Sequence, residues 1–171
     1  SNPTLTSVTF SGNTADLGGG MYISSAYSSL TDVTFNSNTA QDDGGGMFLS
    51  YSTPTLTGVT ISNNTAADKG GGMFLSYSTP TLTGVTISNN TADEGGGMIL
   101  YSSSNPTTLT NSIIWNNIPE SIVIHTSAVE ATRFRGEMKE TANSLSLFKL
   151  PHQNIKTLLP TDTSHTMRRQ F

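Results

Sequence analysis

The sequence predicts an all-β solenoid of short stacked strands, with 25–26 residues per coil and four to five coils. Three observations predict it. A Gly-Gly-Gly triplet recurs at Gly18, Gly44, Gly70 and Gly95, spaced 26, 26 and 25 residues apart. Asparagine recurs at Asn13, Asn38, Asn64, Asn90 and Asn117, and leucine at Leu5, Leu30, Leu56, Leu82 and Leu109, at nearly the same interval. Between these marks the apolar residues alternate with polar ones at a period of two, which belongs to strands rather than helices. A phrase repeated at such a period is the signature of stacked repeats.

The third copy shows how one coil is written. Val59 and Ile61 alternate with Thr60 and Ser62, and Met73 and Leu75 alternate with Phe74 and Ser76. β-branched residues flanked by Gly, Pro and Asn make each of these a short strand. Leu56 and Val59 are three apart, so the alternation slips once, and a bend is expected at Thr57-Gly58. No part of the repeats carries a helical period long enough for a crossover helix. The inward side chains of a single coil cannot offset the conformational entropy of ordering it, so coils must stack and share backbone hydrogen bonds. Stacking turns each repeat position into a ladder. Asn13, Asn38, Asn64, Asn90 and Asn117 are expected to form an amide ladder at a bend, and Thr9, Thr34, Thr60 and Thr86 an outward hydroxyl row. The Gly triplets suit a close coil-to-coil approach that a Cβ would obstruct.

After Asn117 the pattern fades, although residues 121–125 and 128–134 still read as strands. The repeats are assigned to residues 1–132 and a separate tail to 133–171. In the tail Met138, Ala142, Leu145 and Phe148 fall at helical spacing, which predicts a short capping helix over 137–149 and irregular chain after Pro151. A truncated or misread gene end is the alternative reading of the tail. The chain opens inside a repeat and without a leader, so the expectation is a piece of a longer solenoid.

Composition narrows the function classes. With no cysteine, neither a disulfide framework nor a thiolate metal site is available. The net charge of −4 divides unevenly: residues 1–132 carry nine acids against Lys69 alone, and residues 133–171 carry seven bases against three acids. An acidic main body argues against nucleic acid as a partner. No apolar run approaches the length of a membrane-spanning helix.

The phrase Pro-Thr-Leu-Thr-x-Val-Thr-(Phe/Ile)-Ser-x-Asn-Thr-Ala followed by Gly-Gly-Gly-Met resembles bacterial right-handed parallel β-helix surface proteins. Within these it is similar to the polymorphic outer-membrane-type repeats, marked by Phe-x-x-Asn and Gly-Gly-x-hydrophobic elements. Phe10-Ser11-Gly12-Asn13 and Phe35-Asn36-Ser37-Asn38 carry the first, with Ile61, Ile87 and Ile114 replacing Phe in later copies. Gly19-Gly20-Met21, Gly45-Gly46-Met47, Gly71-Gly72-Met73 and Gly96-Gly97-Met98 carry the second. The resemblance implies a right-handed parallel β-helix, secreted or displayed at the cell surface and used in adhesion or glycan contact. A leucine-rich repeat also fits Leu56-x-x-Val59-x-Ile61-x-x-Asn64, but the Gly triplet and second alternating strand favour the β-helix.

Four candidate sites follow. Tyr22, Phe48, Phe74 and Ile99 alternate with the Met and Leu rows, and are expected to form an exposed apolar stripe that contacts sugar rings or a neighbouring surface. Tyr51, Tyr77 and Tyr101 extend it. A one-residue register slip would instead bury that row. Acidic turns at Asp16, Asp42, Asp43, Asp68, Asp93 and Glu94 offer hard oxygens of the kind Ca²⁺ takes, but Lys69 sits within the row and solvated carboxylates are the preferred reading, with no cofactor expected. Catalysis on the pattern of β-helix polysaccharide lyases or glycosidases would need converging carboxylates, whereas these acids repeat at one turn and no Arg precedes Arg133. His125, His152 and His165 have no motif around them. The expected role is thus a non-catalytic surface module for glycans or a neighbouring cell, with a fragment of a carbohydrate-active enzyme or a plain structural spacer as alternatives. Exposed strand edges at the ends of a short solenoid add a tendency to self-associate.

Overall fold

A computed structural model describes residues 2–102, 104, 108–125 and 155–158. The first coil carries β1 (Thr4–Thr6), β2 (Thr9–Ser11), β3 (Thr14–Ala15) and β4 (Met21–Ser24). The second repeats them as β5 (Ser29–Thr31), β6 (Thr34–Asn36), β7 (Thr39–Ala40) and β8 (Met47–Ser50). The third has β9 (Thr55–Thr57), β10 (Thr60–Ser62), β11 (Thr65–Ala66) and β12 (Met73–Ser76). The fourth has β13 (Thr81–Thr83), β14 (Thr86–Ser88) and β15 (Met98–Tyr101), with Thr91 bridging singly to Thr65 and Ile118 where a third strand would lie. The fifth has β16 (Thr108–Thr110), β17 (Ile113–Trp115) and β18 (Ile122–His125), and β19 (Ile155–Leu158) follows.

Equivalent strands stack in parallel and in register, giving four sheets along the rod. Sheet A is β1-β5-β9-β13-β16, sheet B is β2-β6-β10-β14-β17, sheet C is β3-β7-β11, and sheet D is β4-β8-β12-β15-β18-β19. Identical repeat positions meet: Leu30 pairs Leu56, Ile61 pairs Ile87, and Met73 pairs Met47 and Met98. Each of the first three coils therefore supplies one strand to each sheet, and the fourth and fifth supply strands to sheets A, B and D. No helix occurs among the described residues.

The interior is a set of columns. Leu30, Leu56 and Leu82 come from sheet A, Phe35, Ile61 and Ile87 from sheet B, and Met47, Met73, Leu49 and Leu75 from sheet D, all fully buried. The period-two alternation thus becomes an inside and an outside, as the pleat requires. Coils turn at residues in the left-handed backbone region. Asp32, Gly58 and Gly84 hold φ of 54°, 63° and 63° between sheets A and B. Asn63 and Asn89 hold 57° and 56° between sheets B and C, where a short polar side chain tolerates the conformation. In each triplet the first glycine takes left-handed φ and the later ones serve close approach: a Cβ on Gly71 would lie 2.4 Å from the Thr91 carbonyl oxygen and 2.6 Å from that of Gly96.

The tail departs from expectation in one place. Residues 155–158, expected to be irregular, form β19, with Ile155 in register with Ile122 and Thr157 with Ile124. The mixed composition there conceals a four-residue match to the sheet D ladder. The expected strand over 128–134 and the expected helix over 137–149 lie outside the described residues.

Candidate functional site

Three side-chain columns run beside one another where sheet D ends and the chain turns. Innermost is a hydroxyl ladder. The Ser52 N–H donates to Ser78 Oγ at 3.0 Å, the Ser78 N–H to Ser104 Oγ at 3.1 Å, and the Ala26 N–H to Ser52 Oγ at 3.2 Å. Ser52 and Ser78 hydroxyls in turn donate to the carbonyls of Ser50 and Ser76, each at 2.8 Å. In the second and third coils the residue immediately before the ladder is Tyr51 and Tyr77, and in the first Ser25 precedes Ala26. It was not anticipated from sequence, although Ser52, Ser78 and Ser104 repeat at an interval of 26.

Tyr51 and Tyr77 point outward and stack, their rings 4.8 Å apart and 5° from parallel, with 63% and 47% of their surfaces exposed. Both adopt left-handed backbone, φ 48° and 47°, a conformation shared by Ser25 and Ser102 at the same corner. The turn needs that conformation, and a bulky residue there costs about 1–2 kcal/mol where glycine would cost nothing. Beside them runs a second aromatic column: Tyr22 on Phe48 at 5.2 Å, Phe48 on Phe74 at 4.9 Å, and Phe74 against Tyr101 at 5.8 Å. Tyr101 also tilts against His125 at 5.6 Å.

The sequence expectation for this second column needs correction. Of Tyr22, Phe48, Phe74 and Ile99, only Tyr22 is open, at 50%; Phe48, Phe74 and Ile99 are exposed by 8%, 5% and 0%. The register of the strand is not the cause. Met73 and Leu75 face the main interior while Phe48, Phe74 and Ile99 form a separate apolar cluster with Val123 and Leu17 on the other face. The row is roofed by the preceding turn. Gly44 and Gly70, at φ 72° and 66°, sit so close that a Cβ would approach Phe48 Cβ and Phe74 Cβ to 3.0 Å. Open apolar surface lies instead on Tyr22, Tyr27, Tyr51, Tyr77 and Tyr101, and at the far end of sheet B on Ile113 and Trp115, with Ile118 nearby.

The asparagines lie inside the rod. Asn38, Asn64 and Asn90 are fully buried, and each side-chain oxygen accepts two bonds from the coil before it. Each amide nitrogen also donates to a sheet B carbonyl: Asn38 to Phe10, Asn64 to Phe35, Asn90 to Ile61 and Asn117 to Ile87, all at 3.0 Å. Asn13 joins the end of the ladder through Asn38 Oδ1 at 3.0 Å.

The roofing turns hold the acids. Asp16, Asp42, Asp68 and Asp93 are exposed, and Asp43 and Glu94 half-buried. Asp43 Oδ1 accepts the Lys69 N–H at 3.0 Å, and Lys69 Nζ pairs with Asp68. Burial pushes the Asp43 carboxyl above its ordinary range, against the lowering pull of Lys69, while Asp68 and Asp42 reinforce the rise. For Lys69 burial works downward, but the bond to Asp68 and the charges of Asp68, Asp43 and Glu94 outweigh it and raise the ammonium. Glu94 Oε2 stands 3.1 Å from His125 Nε2, an ion-pair distance without hydrogen-bond alignment. Among the described residues no three His, Cys, Asp or Glu side chains converge as a metal site. No helix among them is long and apolar enough to cross a membrane.

Stacked parallel coils with columnar interiors and an exposed aromatic corner define a parallel β-solenoid with a side surface open to contact. Residues 1–136 match the family model described as the right handed beta helix region, and the chain belongs to that family. Searches of curated proteins and of solved structures gave no match.

Proposed function

We propose that this chain is a non-catalytic contact module of a secreted or cell-surface protein, and that it binds carbohydrate through the tyrosine corner. The observation that carries the reading is the placement of Tyr51 and Tyr77. Two large aromatics occupy left-handed positions that serine fills in other coils, and both remain open to solvent. A costly conformation retained around exposed groups points to function rather than packing. The two ring edges and faces, held by the serine ladder beneath, form a rigid amphipathic platform, and apolar sugar faces stack on such platforms. Tyr22 and Tyr101 stand open at the two ends of the neighbouring aromatic column. The repeat's resemblance to surface β-helix proteins supports display outside the cell.

A glycan array probed with the wild-type chain and with Tyr51→Ala/Tyr77→Ala tests this. The expected result is a restricted set of bound glycans whose signal disappears in the double variant. Absence of binding to every glycan would favour the spacer role, and release of reducing ends or unsaturated sugars from a polysaccharide would favour the enzyme fragment.

A further inference from the structure

Sheet A carries a second regular surface on another side of the rod. In-register pairing builds two parallel columns: Thr4, Ser29, Thr55, Thr81 and Thr108 in one, and Thr6, Thr31, Thr57, Thr83 and Thr110 in the other. Between them run the Leu residues that fill the core, of which Leu30, Leu56 and Leu82 are fully buried. Thr4, Thr6, Thr55, Thr57, Thr81 and Thr110 are exposed, and Ser29, Thr31 and Thr83 half-exposed.

Three properties set this face apart. The first is its periodicity: parallel-strand geometry spaces the positions about 4.8 Å between coils and about 6.6 Å along each strand. The second is that its hydroxyls are free. The inner Ser52 and Ser78 hydroxyls are spent on the ladder, but none of the described sheet A side chains bonds to the protein. The third is low charge. No sheet A strand contains a charged residue; exposed Asp32, directly after Thr31, lies at the rim of the face, whereas Asp42, Asp43, Asp68, Lys69, Asp93 and Glu94 lie on the turns before sheet D. Threonine also restricts its own χ1 through branching at Cβ, so hydroxyl and methyl are fixed in place by a backbone that is itself fixed by stacking.

We propose that the outer face of sheet A binds ice. A stiff two-dimensional net of hydroxyls, paired with methyls everywhere but at Ser29 and carrying charge only at its Asp32 rim, matches a surface that is itself neutral, periodic and made of water. Its between-coil spacing is close to one oxygen repeat of the prism face of hexagonal ice, and its along-strand spacing is about a tenth shorter than the other. Each hydroxyl anchors one water and each methyl confines its neighbours, so a patch of ordered water forms across the face and merges with the crystal. Single contacts are weak, but their simultaneous engagement by one rigid face makes release slow. Sheet B is poorer for this purpose, since Asn36 interrupts its serine column and Ile113 and Trp115 end its two columns. The proposal does not depend on glycan binding, which lies at a different corner.

The test grows single ice crystals in solutions of the purified chain, recording crystal shape, the gap between melting and growth temperatures, and the share of protein taken up into slowly frozen ice. Expected are faceted crystals, a measurable gap and uptake into ice. Thr57→Lys/Thr83→Lys should lose most of the gap, and Thr57→Val/Thr83→Val, which keeps the methyls and shape, should reduce it. Thr65→Lys, on sheet C, should behave as wild type. Circular dichroism identical to wild type confirms that each variant folds, and the isosteric valine pair decides the matter should the lysine pair not fold. Round crystals growing as in buffer, exclusion of the wild type from ice, or equal loss in Thr65→Lys would overturn the proposal. Binding to insoluble polysaccharide together with exclusion from ice would overturn it while leaving the glycan reading intact.

Discussion

Asn38 reaches one coil along the rod to Asn64 with two donors: its backbone N–H and its Nδ2 both bond Asn64 Oδ1, at 2.9 and 3.0 Å. Asn64 does the same to Asn90, and Asn90 to Asn117. Every interior amide is thereby satisfied at both ends, and the ladder links each coil to the next through the core itself.

Replacing Asn64 by leucine would strand several of these groups. The Asn38 N–H and the Phe35 carbonyl lose their buried partner, and each orphaned group costs about 1–3 kcal/mol. Asn64→Leu is predicted to lower unfolding free energy by roughly 2–6 kcal/mol in urea denaturation. An exposed change such as Thr65→Ala, outside the ladder, should stay within about 0.5 kcal/mol of wild type.

Glycines at two positions should respond for different reasons. Gly71 has ordinary φ, but an alanine Cβ would strike the Thr91 and Gly96 carbonyl oxygens at 2.4 and 2.6 Å, both backbone atoms of the next coil. Gly71→Ala is therefore expected to block native stacking, seen as loss of the cooperative thermal transition. Gly12 has φ 66° with nothing within 4 Å, so Gly12→Ala should cost only the left-handed penalty of about 1–2 kcal/mol.

Much of this was legible in the repeat. The Met73-Phe74-Leu75 alternation identified which side chains face the core, because a strand's two faces follow from a period of two. The openness of Phe74 was not legible. Its cover comes from the turn that holds Gly70, which repeats in sequence but whose path back over the sheet is set by a φ angle that alternation of apolar and polar residues does not encode. The serine ladder was overlooked for the opposite reason. Ser52 and Ser78 read as ordinary polar turn residues, and only their inward direction, fixed by the left-handed tyrosine before each, makes them core. β19 escaped because four residues suffice to extend a ladder once a register is offered.

The acidic turn predicts a pH effect. Asp43 has its folded carboxyl raised chiefly by burial, so the folded state holds the proton more tightly than the unfolded chain does. Ionised Asp43 consequently opposes folding above its folded pKa, and that penalty fades as pH falls through it. Asp43→Asn keeps an oxygen for the Lys69 N–H, so at neutral pH the variant should melt at or slightly above wild type. The difference should close on acidification, as the wild-type carboxyl takes up its proton at a higher pH than an ordinary aspartate would. Lys69 acts in the other direction. Its raised pKa adds stability that is present below the unfolded value near 10.4 and is lost as pH rises through the folded one.

Tyr77→Asn separates contact from stability. Asparagine tolerates the left-handed corner, recovering about 1 kcal/mol, while the lost stack on Tyr51 forfeits about 0.5–1.5 kcal/mol. The melting midpoint should therefore barely move, yet glycan signal should fall to background. Parallel melting curves and array readings on one preparation check both halves.

The contact role of the tyrosine corner is tested most directly by nuclear magnetic resonance titration of the labelled chain with an array-selected oligosaccharide. The account predicts saturable shifts centred on Tyr51 and Tyr77, spreading to Tyr22 and Tyr101 and leaving sheets B and C unmoved. Shifts centred on any other face, with the tyrosine resonances unchanged at saturation, would contradict it.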